Sequence, residues 1–319
     1  MKKVLVTGAF GLIGTELVVA LQEKYGKENV VAAAHSKKPS IFDGILEKAD
    51  VTQKDQLIPL VEKYNIDTVF HLAGILSVGS EKNPSLAWQV NLDGLKNVLD
   101  VAVDKKLKVF WPSSIAAFGQ TTPKENTPQH TVLEPSTIYG VAKVSGELLC
   151  QYYFNKYGVD VRSLRYPGIN GWKADPGDGT TEYAIHIFYA ALRGEEYVCP
   201  LKPGTYLPMM YMDDAIAGTI KLMEADSKKL TVRTSYNFAG ISFAPDELVG
   251  EIQKLLPNFK VTYRPNHTQA IADSWPKSID DSQARKDWGW EPKFGLAEMT
   301  KEMMDGVKTK LGSSNSLNV

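Results

Sequence analysis

The sequence predicts an α/β protein with a doubly wound parallel sheet and a smaller C-terminal lobe. Three observations predict it. Strand-like and helix-like segments alternate as far as Tyr166, three glycines follow the first strand and open its helix, and beyond Gly168 the alternation loosens. In order, "KVLV" reads as a strand and residues 15–25 as a helix. "NVVAAA" and "ILEKADV" are further strands, residues 55–64 a helix, and "DTVFHLAG" a strand running into a small-residue loop. Residues 84–106 carry apolar side chains at Leu86, Val90, Leu95, Val98, Leu99 and Ala102, the spacing of one long amphipathic helix. "KVFWPSS" is a strand, residues 135–157 a helix whose Ile138, Val141, Ala142, Leu148 and Leu149 are expected to face a core, and "VDVRSLRYPG" a strand. Alternation of this kind implies parallel strands with helices on both faces.

After the loop "INGWKADPGDG", helix-like "TTEYAIHIFYAALRG", a strand and helix in "TYLPMMYMDDAIAGTIKLMEA", and the helices "PDELVGEIQKLL" and "LAEMTKEMMDGV" follow. Residues 1–168 are therefore expected to be mainly the nucleotide-binding part. Residues 169–312 are expected to be mainly a substrate lobe, with room for the chain to cross back to the sheet, and 313–319 a solvated tail.

Composition bounds the partners. The 319 residues carry a formal net charge of -1 and 43% hydrophobic residues, ordinary for a soluble globular protein and no invitation to nucleic acid or anionic membranes. No apolar run reaches the ~20 residues that span a bilayer. The glycines after "MKKVLV" argue against a signal peptide, so a cytoplasmic location is expected. Cys150 and Cys199 form no disulfide framework. With the five histidines they show no zinc-type spacing, so a metal-free mechanism is expected.

Gly8, Gly11 and Gly14 directly follow a strand and open a helix, the context that makes a dinucleotide fingerprint credible. Gly8 allows a tight turn, Gly11 lets the backbone approach a pyrophosphate on the helix N-terminus, and Gly14 lets helix pack closely on strand. The carboxylate that usually holds the adenosine ribose is absent: Ala34 ends "NVVAAA". Either another group holds the 2′-hydroxyl, or Ser36, Lys37 and Lys38 accept a 2′-phosphate, so NADP stays open beside NAD. Asp50 is expected at the adenine edge. Tyr139 and Lys143 are one helical turn apart and share a face. Spacing alone proves nothing, because Tyr152 and Lys156 repeat it.

The glycine turn, "HLAG" at 71–74, "PSSIAAFG" at 112–119 and Tyr139/Lys143 together resemble the extended short-chain dehydrogenase/reductases, whose fold is the Rossmann type. A closer resemblance covers nearly the whole chain. "PSTIYGVAKVSGELL", "GTTEYAIHIFYAAL", "LPMMYMDDA" and "IADSWPKSIDDSQARKDWGW" are similar to the short-chain-type L-threonine 3-dehydrogenases.

That resemblance implies a catalytic set of Ser114, Tyr139 and Lys143. It implies coenzyme contacts from Gly8, Phe10, Gly11, Leu12, Ile13, Gly14, His35, Ser36, Asp50, Val51, Leu72, Ala73, Gly74, Asn91, Tyr139, Lys143 and Tyr166. Substrate contacts would come from Ser77, Ser114, Tyr139, Thr180, Thr181 and Trp275. It further implies oxidation of L-threonine to 2-amino-3-oxobutanoate with NAD, and a homodimer made through helices 84–106 and 135–157. Tyr139 is then the base, with the lysine cation and the positive nicotinamide ring favouring its phenolate. A nucleotide-sugar epimerase or dehydratase uses the same three residues, and a non-catalytic coenzyme-sensing protein would need neither tyrosine nor lysine.

Overall fold

The computed structural model describes residues 1–36, 42–177 and 179–315. Its first part runs β1 (Val4–Thr7), α1 (Leu12–Tyr25), β2 (Val30–Ala34), β3 (Ile45–Lys48), α2 (Lys54–Lys63), β4 (Thr68–His71), α3 (Ser77–Lys82), α4 (Pro84–Trp88), α5 (Gly94–Lys105), β5 (Lys108–Ser114), α6 (Ile138–Tyr157) and β6 (Val161–Tyr166). There follow β7 (Gly168–Asn170), α7 (Tyr183–Arg193), β8 (Tyr197–Cys199), β9 (Leu207–Tyr211), α8 (Met212–Glu224) and β10 (Tyr236–Asn237). The chain ends with β11 (Ile241–Phe243), α9 (Pro245–Leu255), β12 (Val261–Tyr263), α10 (His267–Ser274), α11 (Ser282–Trp288) and α12 (Leu296–Asn315).

Seven strands form one sheet in the order β10-β6-β5-β4-β1-β2-β3, every pair parallel. The order reverses between β1 and β4, so the loops leaving these two strands diverge and open a crevice at their C-terminal ends. Thr7 lies opposite His71 at that point. Side chains alternate across the sheet. Val4 and Val6 enter a core shared with Leu17 of α1 and Ile216 of α8, and Leu5 enters one shared with Leu57 of α2 and Leu99 of α5. Burial on both faces explains why these strands read as continuous apolar runs.

Tyr236–Asn237 returns to the sheet edge beside β6. Helices α8 and α11 also pack on the sheet core, while α7, α9, α10 and α12 gather on a separate core of Phe188, Leu248, Ile252, Met299 and Met303, with β7, β9 and β11 as a small sheet.

Three expectations are corrected. Residues 84–106 are not one regular helix: α4 and α5 are joined by a π-helical turn, Gln89–Asp93, and α3 precedes them where a loop was expected. Val141 and Leu148 do not face a core. Ala142 is buried, but Leu148 is 58% exposed and Val141 joins it on the outer face of α6, because 20 residues of helix leave a second face that the sheet does not cover. The C-terminal segment is helical as far as Asn315 rather than a tail from 313, with α12 packed on the second core through Met299, Met303 and Val307.

Candidate active site

The glycine turn does what its spacing requires. Gly8 has φ +68°, and a Cβ there would lie 2.5 Å from the Ala73 nitrogen. One on Gly14 would lie 2.4 Å from the Gly8 carbonyl oxygen. Those contacts draw β1, the start of α1 and the loop after β4 together. Gly11 meets nothing nearer than 3.4 Å and starts α1 with no capping side chain, and the first turn carries no acid. Unclaimed helix N–H groups and the absence of a carboxylate are the donor set a pyrophosphate needs. The residues present therefore fit a dinucleotide, with Phe10, Leu12 and Ile13 beside the turn.

At the adenosine end, β2 stops at Ala34. His35 and Ser36 are exposed, with the His35 ring Nε2 3.9 Å from the Asp50 carboxylate. Burial works against the Asp50 charge, yet the Thr52 hydroxyl and N–H, at 2.7 and 2.9 Å, together with His35 hold its carboxyl below the ordinary range. Val51 is buried behind it. Lys37 and Lys38 lie outside the described residues. On the other wall, Leu72, Ala73 and Gly74 leave β4 as extended loop. Asn91 has both side-chain polar atoms on Ile75: its Oδ1 accepts from the Ile75 N–H at 2.7 Å and its amide donates to the Ile75 carbonyl at 3.0 Å. It therefore acts on the crevice through the loop it fixes, and the π-turn is what aims it there.

Ser114 ends β5, and Tyr139 and Lys143 lie in the first two turns of α6. Thr137 caps that helix by accepting from the Gly140 N–H at 3.1 Å. Gly140 then lets the helix approach β5: a Cβ on it would stand 2.3 Å from the Ala116 carbonyl oxygen. This contact brings Tyr139 to Ser114, whose hydroxyl faces the phenol and favours its anion. The Ser114 oxygen accepts from the Ala116 N–H at 3.2 Å, leaving its own proton to donate outward. Lys143 is 7% exposed. Its ammonium donates to the Pro112 carbonyl at 2.5 Å and lies 4.6 Å from the Trp111 ring centre and 5.3 Å from that of Tyr139.

Burial pushes the Tyr139 phenol up to about 12, with Ser114 pulling the other way, and pushes Lys143 down to about 7. Ser114 is the group of the protein that favours the phenolate here, against burial. The exposed pair behaves oppositely: Lys156 donates to the Tyr152 hydroxyl at 2.7 Å and lowers it. Equal spacing on one helix thus gives opposite chemistry, decided by burial.

His71 was not singled out from the sequence. It is fully buried, with Nδ1 2.8 Å from the Thr7 hydroxyl and Nε2 without a partner. Burial, then the nearby Lys143 charge, pushes it down to about 3, so it is neutral. Trp111 gave no sequence signal either. Tyr166 is buried behind the sheet, on the Thr219 hydroxyl rather than at the crevice surface. Of the substrate candidates, Ser77 opens α3. Thr180, with Val78, Lys82, Glu182 and His186, lines a cleft of about 450 Å³. Thr181 packs on Gly168. Trp275 is 9% exposed within the second core, the position of a packing aromatic.

Residues 4–238 match the model of the NAD dependent epimerase/dehydratase family. An uncharacterized epimerase/dehydratase of Staphylococcus haemolyticus is 48% identical over 97% of this chain and 99% of its own. The GalE-like L-threonine dehydrogenase from Cupriavidus necator, solved in its holo form, is 49% identical, with TM-score 0.94 over 96% of this chain and 99% of that one. A monomeric L-threonine 3-dehydrogenase from a metagenome is 46% identical, with TM-score 0.93 over 96% and 99%. With a parallel sheet that reverses at β1/β4, a glycine turn on α1, and serine, tyrosine and lysine gathered at the end of β5, this chain belongs to the NAD-dependent epimerase/dehydratase family.

Proposed function

We propose that this protein oxidises L-threonine at C3 to 2-amino-3-oxobutanoate, with Tyr139 as the base. The observation that carries this reading is the gathering of Ser114, Tyr139 and Lys143 at the crevice mouth, in a chain superposable over nearly its full length on an L-threonine dehydrogenase. Bound NAD supplies the hydride acceptor and a positive ring. Gly8, Gly11, Gly14 and the α1 N-terminus would hold its pyrophosphate, and Lys143, with N–H groups left over from Pro112, would hold the nicotinamide ribose. Ser114 donates its proton to the C3 oxygen and fixes its direction. Tyr139 takes the C3 hydroxyl proton, so the alcohol loses a proton and a hydride together. Such general-base assistance is worth about 10²–10⁴-fold, and alignment adds to it. Lowering a phenol from about 12 toward working pH is the combined task of the Lys143 cation and the ring charge.

We further propose a homodimer. Leu86 and Trp88 on α4 and Val141, Leu148 and Tyr152 on α6 expose an apolar stripe that a second copy would cover. Residues 141, 148 and 152 recur at helical spacing, so they form one seam.

Initial rates with L-threonine and either NAD or NADP test the function, with L-serine and a simple secondary alcohol as controls. Threonine-dependent NADH formation is expected. Turnover of a nucleotide sugar without net coenzyme reduction would replace this reading with that of an epimerase.

A further inference from the structure

One helical turn beyond Lys143, Glu147 is 1% exposed. Its carboxylate accepts two bonds from the Arg165 guanidinium, at 2.9 and 2.7 Å, and one from the Ser113 hydroxyl, at 2.6 Å. Arg165 also donates to the Gln129 carbonyl and the Asn237 amide oxygen, both at 3.0 Å. Five segments meet here: α6, β5, β6, β10 and the loop at residue 129. Two of the partners adjoin functional positions, since Ser113 precedes Ser114 and Glu147 shares a face of α6 with Lys143. Burial of an ion pair is seldom a net gain in stability, so its place beside the catalytic lysine calls for another reason.

We propose that Glu147 is a positioning residue for the proton-accepting pair: held by Arg165 and Ser113, it fixes the Ser114 end of β5 against α6 and places a negative charge one helical turn from Lys143. The charged and titratable groups around Lys143 are Tyr139, Glu147 and Cys150 on α6 and neutral His71 on β4, while β5 contributes only the Trp111 ring and the Pro112 carbonyl. Burial drives Lys143 toward its neutral form, and Cys150 and then Glu147 oppose this. Glu147 stands one helical turn from Lys143 on α6, whereas Arg165 reaches the carboxylate from β6. The Lys143 ammonium lies 5.3 Å from the Tyr139 ring centre, close enough for the two to titrate as a pair. Phenolate with ammonium is the active arrangement, and phenol with amine is its inactive tautomer. A negative charge beside Lys143 favours the first.

The inference rests on Tyr139 being the base, and the test separates the two. The holoprotein is titrated by kcat/KM for L-threonine against pH. In parallel, the tyrosinate absorbance of the NAD-bound protein is read as a difference from its Tyr139→Phe variant, which needs no substrate. Glu147→Gln removes a buried negative charge, so the acid limb moves to lower pH by roughly one unit while the plateau falls. Arg165→Gln leaves the carboxylate unpaired and moves the limb to higher pH. A purely structural pair would lower both plateaus and move neither limb. Equal limbs, or shifts of one sign, overturn the proposal.

Should the single variants fail to fold, the Glu147→Met/Arg165→Met protein, which buries no unpaired charge, decides. It is expected to lose at least tenfold in kcat, and wild-type kcat would overturn the proposal. Wild-type protein without threonine-dependent NADH formation defeats the functional reading instead, and the absorbance titration still reports on Glu147.

Discussion

Replacing Lys143 by methionine separates what this side chain does for catalysis from what it does to the fold. Burial brings its ordinary value of 10.5 down to about 7, a displacement of 10.5 − 7, about 3.5. At 1.36 kcal/mol for each pH unit, a protonated Lys143 costs the fold about 5 kcal/mol well below pH 7, and about 4 kcal/mol at pH 7, where it is half neutral. The folded value lies below the unfolded one, so the unfolded chain binds the extra proton. The penalty is therefore complete below pH 7, and stability recovers as pH rises from about 7 to 10.5. Methionine fills similar space but loses the bond to the Pro112 carbonyl, about 1 kcal/mol. The Lys143→Met protein, free of coenzyme, should be more stable than its parent by about 3 kcal/mol at pH 7, with the gap vanishing near pH 10, while losing threonine oxidation. Urea unfolding followed by tryptophan fluorescence across that range measures it. A variant less stable than its parent at pH 7, or a gap that does not change with pH, would refute the reasoning.

Other outcomes follow from the same geometry. Ser114→Ala should lower kcat by about 10²-fold with little change in KM, read in steady-state rates, because the serine orients the reacting oxygen. Gly14→Ala puts a methyl 2.4 Å from the Gly8 carbonyl, so α1 must move. Coenzyme affinity by calorimetry should fall, and stability should drop by about 1–3 kcal/mol. Ala34→Asp supplies the missing ribose carboxylate, and the ratio of kcat/KM with NAD to that with NADP should rise at least about tenfold. Leu148→Lys puts a charge in the exposed stripe, and sedimentation should report a dimer for the parent and monomers for the variant.

Much of the architecture was legible because its causes are local. The strand–glycines–helix order at Val4–Tyr25 points to a parallel sheet and a pyrophosphate site, and the sheet is parallel throughout, its order reversing beside β1. Helix 84–106 was legible as apolar spacing but not as two helices around a π-turn. The cause is one buried amide, Asn91, reaching Ile75 sixteen residues away, which no periodicity reports. Val141 and Leu148 read as core because an apolar stripe does not say what covers it. At the site, the identity of Tyr139 and Lys143 was legible, but their charge states were not. The tyrosine with the depressed hydroxyl is exposed Tyr152, and the one the proposed chemistry needs is pushed up to about 12. His71, Trp111 and the Glu147–Arg165 pair come from strands and turns distant in sequence, and only tertiary packing joins them.

The central claim is that the Tyr139 hydroxyl receives the substrate proton. Stopped-flow measurement of NADH formation in the Tyr139→Phe protein, after calorimetry has verified that NAD still binds, tests it most directly. The account predicts a hydride-transfer rate lower by about 10²–10⁴-fold, with the coenzyme dissociation constant unchanged. A rate within threefold of the parent would contradict it.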